Sequence, residues 1–189
     1  IRNEARIESA DYKQMVSEAI NSLKQNDLQK VVISRFRDIQ KPIDFDFFDF
    51  FESLIKRYRN AFKYVLYSPT HGLWIGASPE RLIDINHDKG IFSTDALAGT
   101  QALLDHDLGK VGWTMKEIEE QAMVSRDIVD WFKKIRLREF DEIGPKTVIA
   151  GYLDHLLTQF TVDMNSTNSP ELGSVMLNLL HPTSAVCGF

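Results

Sequence analysis

Between residues 62 and 85, three short apolar segments follow one another with almost nothing between them. They cover 62–67, 73–77 and 81–85, and Ser68-Pro69, Gly72 and Ser78-Pro79 punctuate them as turns. A parallel strand pair needs a crossover of about a dozen residues or more, whereas links this short close only antiparallel hairpins. The spacing therefore predicts an antiparallel meander. Residues 147–152 and 155–162 repeat the pattern, again with a link too short for a crossover.

Helical periodicity is interspersed with these strands. Tyr12, Met15, Val16, Ala19, Ile20 and Leu23 recur at helical spacing behind Asp11, which can accept hydrogen bonds from the free amides of a helix start. A second helix is expected after Pro42, with Asp44 as its cap and Phe45, Phe48, Phe51, Leu54, Ile55 and Tyr58 as a packing face. Thr114-Met115-Lys116-Glu117 has the form of a capping box and opens a long helix through Trp131 and Ile135. Ser169-Pro170-Glu171 opens a last one, with a cap, a first-turn proline and an acid matched to the helix dipole. The β-branched run of residues 30–35 reads as a buried or half-buried strand with Lys30 at its start. The fold class that results is α+β, antiparallel sheets flanked by helices.

No repeat, low-complexity stretch or linker divides the chain, so residues 1–189 are treated as a single unit, and 43% hydrophobic content is ample for a core. The chain opens on Ile1 and stops at Gly188-Phe189 directly after a His-Pro turn, so it reads as an excerpt. A net charge of −5 provides no broad basic field for nucleic acid or anionic lipid. The one cysteine, Cys187, excludes an intrachain disulfide and fits a reducing compartment. No apolar run reaches membrane-spanning length and residues 1–9 lack a signal-peptide pattern, which points to a cytoplasmic protein and makes the sequon at Asn165 coincidental.

Four places put polar groups where sheet or tight turn is expected: Lys30, Glu80 after Ser78-Pro79, Ala98-Gly99-Thr100, and Glu119-Glu120 in the long helix. Each has a plain structural reading on its own. A lysine can guard a strand end, a glutamate can cap a turn, a glycine can supply positive φ, and paired glutamates can be a solvated helix face. His71, His87, His106 and His155 have no mutual metal-ligand spacing, and the tryptophans read as packing. Neither group is given a chemical role.

The joint order of five segments changes that weighing. Gln29-Lys30-Val31-Val32-Ile33-Ser34-Arg35, Gly76-Ala77-Ser78-Pro79-Glu80-Arg81-Leu82, Ala96-Leu97-Ala98-Gly99-Thr100, the stretch from Lys116 to Gln121, and His181-Pro182-Thr183 together resemble the chorismate-binding enzymes. That family comprises anthranilate, aminodeoxychorismate, isochorismate and salicylate synthases. The resemblance implies an α+β fold of antiparallel sheets and helices, chorismate as substrate and Mg2+ as cofactor, and makes residues 1–189 an incomplete chorismate-binding catalytic domain that is expected to be inactive alone.

The lysine together with Ser-Pro-Glu looks like the isochorismate and salicylate type, in which water attacks C2 of the ring. By resemblance, Lys30 deprotonates that water and Glu80 protonates the departing C4 hydroxyl. Ala98, Gly99, Thr100 and His181 would lie against the substrate, and Glu120 would help hold magnesium. The common Glu-His pair of the family appears here as Glu120-Gln121. The expected activity is isochorismate synthase. Salicylate synthase, or an anthranilate or aminodeoxychorismate synthase component, stands as the alternative, and an inactive binding or self-associating module as the alternative of another class. Downstream pathway and oligomeric state stay open.

Overall fold

The computed structural model describes residues 9–25, 28–103, 111–167 and 172–187. The elements run α1 (Ser9–Lys24), α2 (Phe47–Arg57), β1 (Phe62–Ser68), β2 (Gly72–Ser78), β3 (Asp84–Asn86), β4 (Ile91–Ala102), α3 (Met115–Lys134), β5 (Asp141–Ala150), β6 (Leu153–Asp163), a single 3-10 turn (Met164–Ser166) and α4 (Leu172–Leu180). All strand pairings are antiparallel: β1 with β2 in one two-stranded sheet, and β3-β4-β6-β5 in a second of four strands.

The short links make hairpins as their lengths require, but the first three segments do not form one meander. β2 and β3 belong to different sheets, and the Ser78-Pro79-Glu80 stretch carries the chain from one to the other. β3 begins later than its apolar pattern suggests, because Arg81 and Leu82 are already tied to β4: Asp95 N donates to Arg81 O at 3.2 Å and Thr94 Oγ1 to Leu82 O at 2.8 Å.

Residues 30–35 are not a strand. Among the described residues a single bridge at Val31 is the only strand-like pairing, and Val32 N donates to Cys187 O at 2.7 Å. β-branching supplies propensity, but a strand also needs a neighbour along its length, and the described residues provide none here.

The longest strand, β4, was not anticipated. Its buried residues mix Phe92, Ala96, Leu97 and Ala98 with Ser93 and Thr94, so neither alternation nor an apolar run announces it. Successive residues are buried, so both of its faces are covered, one of them by α3. Phe92, Ala96 and Ala98 of β4 meet Val124, Ile128 and Phe132 of α3, Phe160 and Val162 of β6, and Leu172, Met176 and Leu180 of α4 in one core. The Phe132 ring stands edge-on to Phe160, with centroids 5.9 Å apart.

Helix starts follow their caps with some shifts. The capping box of α3 forms as its spacing requires, with Thr114 N donating to Glu117 Oε2 at 3.2 Å. In α2 the cap is Asp46 rather than Asp44; its Oδ1 accepts from Phe48 N at 2.7 Å and Asp49 N at 3.0 Å, which is reach available only to the residue immediately ahead of the helix. Asp11 falls inside the first turn of α1, where its charge meets the helix dipole. The start read at Ser169-Pro170-Glu171 lies outside the described residues.

Among the described residues the apolar face of α2 packs only in part, with Phe45, Phe51, Leu54 and Tyr58 partly buried and Phe48 and Ile55 exposed. None of its residues is buried, and Phe48 is 78% exposed. Trp74 is also half-exposed, its Nε1 donating to His71 O at 3.0 Å, whereas Trp131 packs against the core.

Candidate active site

A cavity of about 490 Å3 opens where the end of α2, the exit of β2, the middle of β4, α3, the start of β6 and residues 185–186 come together. Glu80, Ala98, Thr100 and Glu120 all line it. His155, Ala185 and Val186 complete much of the remaining wall.

Glu80 stands on the crossing between the two sheets. Its amide donates to Ser78 Oγ at 3.3 Å, and the next residue, Arg81, is clasped to β4 through the Asp95 amide and an ion pair from Arg81 Nε to Asp95 Oδ2 at 3.8 Å. The proline turn and this clasp leave the glutamate little freedom at the cavity wall. Burial pushes its carboxyl above the ordinary glutamate value, and the positive charge of Lys30 opposes the rise.

Lys30 is buried, at 8% exposure, among the residues that close the chain. Its Nζ donates to Ser184 O at 2.6 Å and Ala185 O at 3.2 Å. The same segment holds itself in place through Ala185 N to Thr183 Oγ1 at 3.2 Å. Burial pulls the ammonium below the ordinary lysine value, and the carboxylates of Glu120 and then Glu80 oppose the fall. A neutral amine has two N–H groups and one lone pair; the two carbonyls can occupy the former and leave the latter to accept a proton.

β4 carries a bulge between Ala98 and Thr100, and Gly99 occupies it at a φ of 73°. A Cβ there would come within 3.1 Å of Glu117 Cβ and 3.2 Å of Glu117 O. The glycine is thus explained by left-handed backbone and the close approach of α3, and Gly99 is not among the residues lining the cavity. Thr100, just past the bulge, meets His155 Nδ1 through Oγ1 at 3.1 Å. Burial lowers the His155 pKa, and its Nε2 is buried with no hydrogen-bond partner.

Glu120 reaches the cavity from α3 and has Lys116 Nζ 3.5 Å from its Oε2. It offers carboxylate oxygen of the kind a hard cation takes. Among the described residues, however, no group of three or more His, Cys, Asp and Glu could hold a metal ion, so these side chains alone do not make a magnesium site.

The geometry therefore brings Glu80, Ala98, Thr100 and Glu120 together at the cavity, while three expected site residues do not line it: Gly99, His181, and Lys30, which stands behind Ala185 and acts on Glu80 and Glu120 through its charge. His181 is exposed at the end of α4 and does not line the cavity. The chain approaches the cavity four residues later, at Ala185 and Val186, because the turn after Pro182 folds back on Thr183. His155 was assigned no chemistry, yet it is in the wall; the adjacent polar pair Asp154-His155, buried within an apolar strand, was the available signal. Gln121, beside Glu120, is buried and spans from α3 to β4: Oε1 accepts from Ala98 N at 2.9 Å and Nε2 donates to Ala96 O at 3.0 Å.

Known proteins bear on this arrangement. Isochorismate synthase EntC of Escherichia coli K12 is 27% identical over 195 aligned positions, covering 100% of this chain and 49% of EntC. Isochorismate synthase MenF of Haemophilus influenzae is 21% identical over 194 positions, covering 100% of this chain and 44% of MenF. The chain spans about half the length of the curated relatives it matches. A Bacillus anthracis structure described as a 2,3-dihydroxybenzoate-specific isochorismate synthase, DhbC, superposes with a TM-score of 0.74 at 22% identity, over 94% of this chain and 49% of that one. The fold is shared with it. The family profile described as chorismate binding enzyme matches residues 1–189, and the chain belongs to that family.

Proposed function

We propose that this chain carries the acid and base of an isochorismate synthase, with chorismate as the substrate. The observation that carries the reading is the placement of the pair: Glu80 lines the cavity, and the buried Lys30, held by Ser184 O and by Ala185 O of the cavity wall, lies near enough for the two charges to act on each other, with burial easing deprotonation of the ammonium and favouring the protonated carboxyl. Those are the states that addition of water at C2 with departure of the C4 hydroxyl requires. As the water oxygen bonds to C2 its proton passes to the Lys30 amine, and as the C4–O bond breaks Glu80 gives its proton to the departing hydroxyl. One proton is taken and one given, so the step is balanced. Afterwards Lys30 is cationic and Glu80 anionic, and a proton returned between them through solvent restores the pair.

Ala98 and Thr100 border the cavity and would lie against the substrate, with His155 in the same wall. The similarity to EntC and MenF supports the isochorismate reading. Magnesium would find one carboxylate in Glu120 and needs further donors beyond the described residues.

The test is product formation by the full-length protein given chorismate and Mg2+. Isochorismate should appear, and Lys30→Ala and Glu80→Gln should each lower kcat by about a hundredfold or more, the scale of a lost general base or acid. Absence of isochorismate, or turnover that survives both substitutions, would sink the proposal.

A further inference from the structure

We propose that Gln121 is a positioning residue for this cavity, fixing α3 against the floor of β4 so that Glu120 and Ala98 are presented together. The inference rests on the proposed function in taking this cavity as the substrate site.

Gln121 sits where an amphipathic helix would be expected to carry an apolar side chain, on the same buried face as Val124 and Ile128, and it is only 2% exposed. A buried primary amide costs free energy unless its hydrogen bonds are made. Here they are. Besides the two bonds to the Ala96 and Ala98 backbone, Nε2 donates to Thr158 Oγ1 at 3.0 Å and has Ser125 Oγ at 3.4 Å.

Satisfaction alone would make Gln121 a tolerated core residue. Its location argues for more. The amide grips Ala96 O and Ala98 N, backbone groups just ahead of the Gly99 bulge, on either side of which Ala98 and Thr100 line the cavity. The neighbouring helix residue, Glu120, lines the same cavity. Apolar contacts of Val124, Ile128 and Phe132 hold α3 on the sheet but are non-directional, so they allow rotation and sliding of the helix. Two directional bonds from one amide to one strand restrict both. Gln121 thus acts through the strand backbone and the helix, without touching Lys30 or Glu80.

Replacing it should therefore disturb substrate binding more than the chemical step. In the full-length protein, Gln121→Leu keeps the apolar packing and removes the grip. It should raise the chorismate KM by about tenfold or more with kcat reduced less than about threefold, and should speed hydrogen exchange at the Ala98 amide. Thr158→Val removes one partner of the same amide away from the β4 backbone; it should lower Tm while leaving KM within about twofold. If Gln121→Leu does not fold, Gln121→Glu, which loses the donor to Ala96 O, is judged by the same criteria.

A Gln121 variant that folds with KM and Ala98 exchange no more altered than in Thr158→Val overturns the inference. If the wild-type protein binds chorismate without converting it, the functional reading fails while Kd replaces KM in the same comparison. If it binds none, both fall.

Discussion

Burial acts in opposite directions on the two titratable side chains that matter most here. It disfavours the ammonium of Lys30 and the carboxylate of Glu80, bringing the free amine and the neutral acid closer to coexistence. For kcat/KM this predicts a bell whose acidic limb lies above the ordinary glutamate value and whose alkaline limb lies below the ordinary lysine value. Limbs at the unshifted values would contradict the assignment. His155 allows a separate check on stability. Its folded pKa is lowered, so the unfolded chain binds more protons in the window between that lowered value and the ordinary histidine value. The stability it contributes is present above that window and is lost as pH falls through it. Thermal melts of the wild type and His155→Asn across the mildly acidic range should therefore converge on acidification; a gap that does not change with pH would remove burial of His155 as the cause.

At the scale of elements, the hairpins and the capping box were legible because their causes are local: turn residues at fixed offsets and a Thr-x-x-Glu start. The segment 30–35 misled because its β-branched residues state a preference, while a strand needs a partner that those residues cannot specify. β4 was missed for the converse reason, since its pairing with β6 and its cover from α3 make a strand of residues whose own pattern is mixed. Its bulge gives a clean test. Gly72 and Gly99 share a left-handed φ, but a Cβ meets nothing within 4 Å at Gly72 and meets Glu117 at Gly99. Gly72→Ala should cost about 1 kcal/mol from backbone strain alone, and Gly99→Ala should cost about 1–3 kcal/mol more, because α3 must also move. Equal losses of stability in denaturant titrations would mean that α3 does not press on the bulge.

Across the whole molecule, the cavity joins pieces that are far apart in sequence. The hydrogen bond from Lys30 to Ser184 links residues 154 positions apart. Lys30, Glu80 and Glu120 were readable as candidates because each sits in a short run of recognisable wording, whereas Ala185, Val186 and His155 reach the cavity wall only through that convergence. The core also has an uneven reach. Every residue of its central cluster and of the partly buried shell around it comes from residues 82–185, and the β1–β2 hairpin contributes to neither. Phe62, Leu66, Tyr67 and Leu73 of that hairpin are instead largely exposed. Cooperative stability follows buried apolar contact, and a hairpin with little of it opens at lower cost than the sheet. Native-state hydrogen exchange of residues 1–189 should therefore find the β1–β2 amides exchanging through a lower-energy opening than those of β4 and β6, with protection in the latter limited by global unfolding. If the hairpin amides instead share the protection of β4 and the same denaturant dependence, the two sheets unfold as one unit and the core extends further than its buried residues indicate.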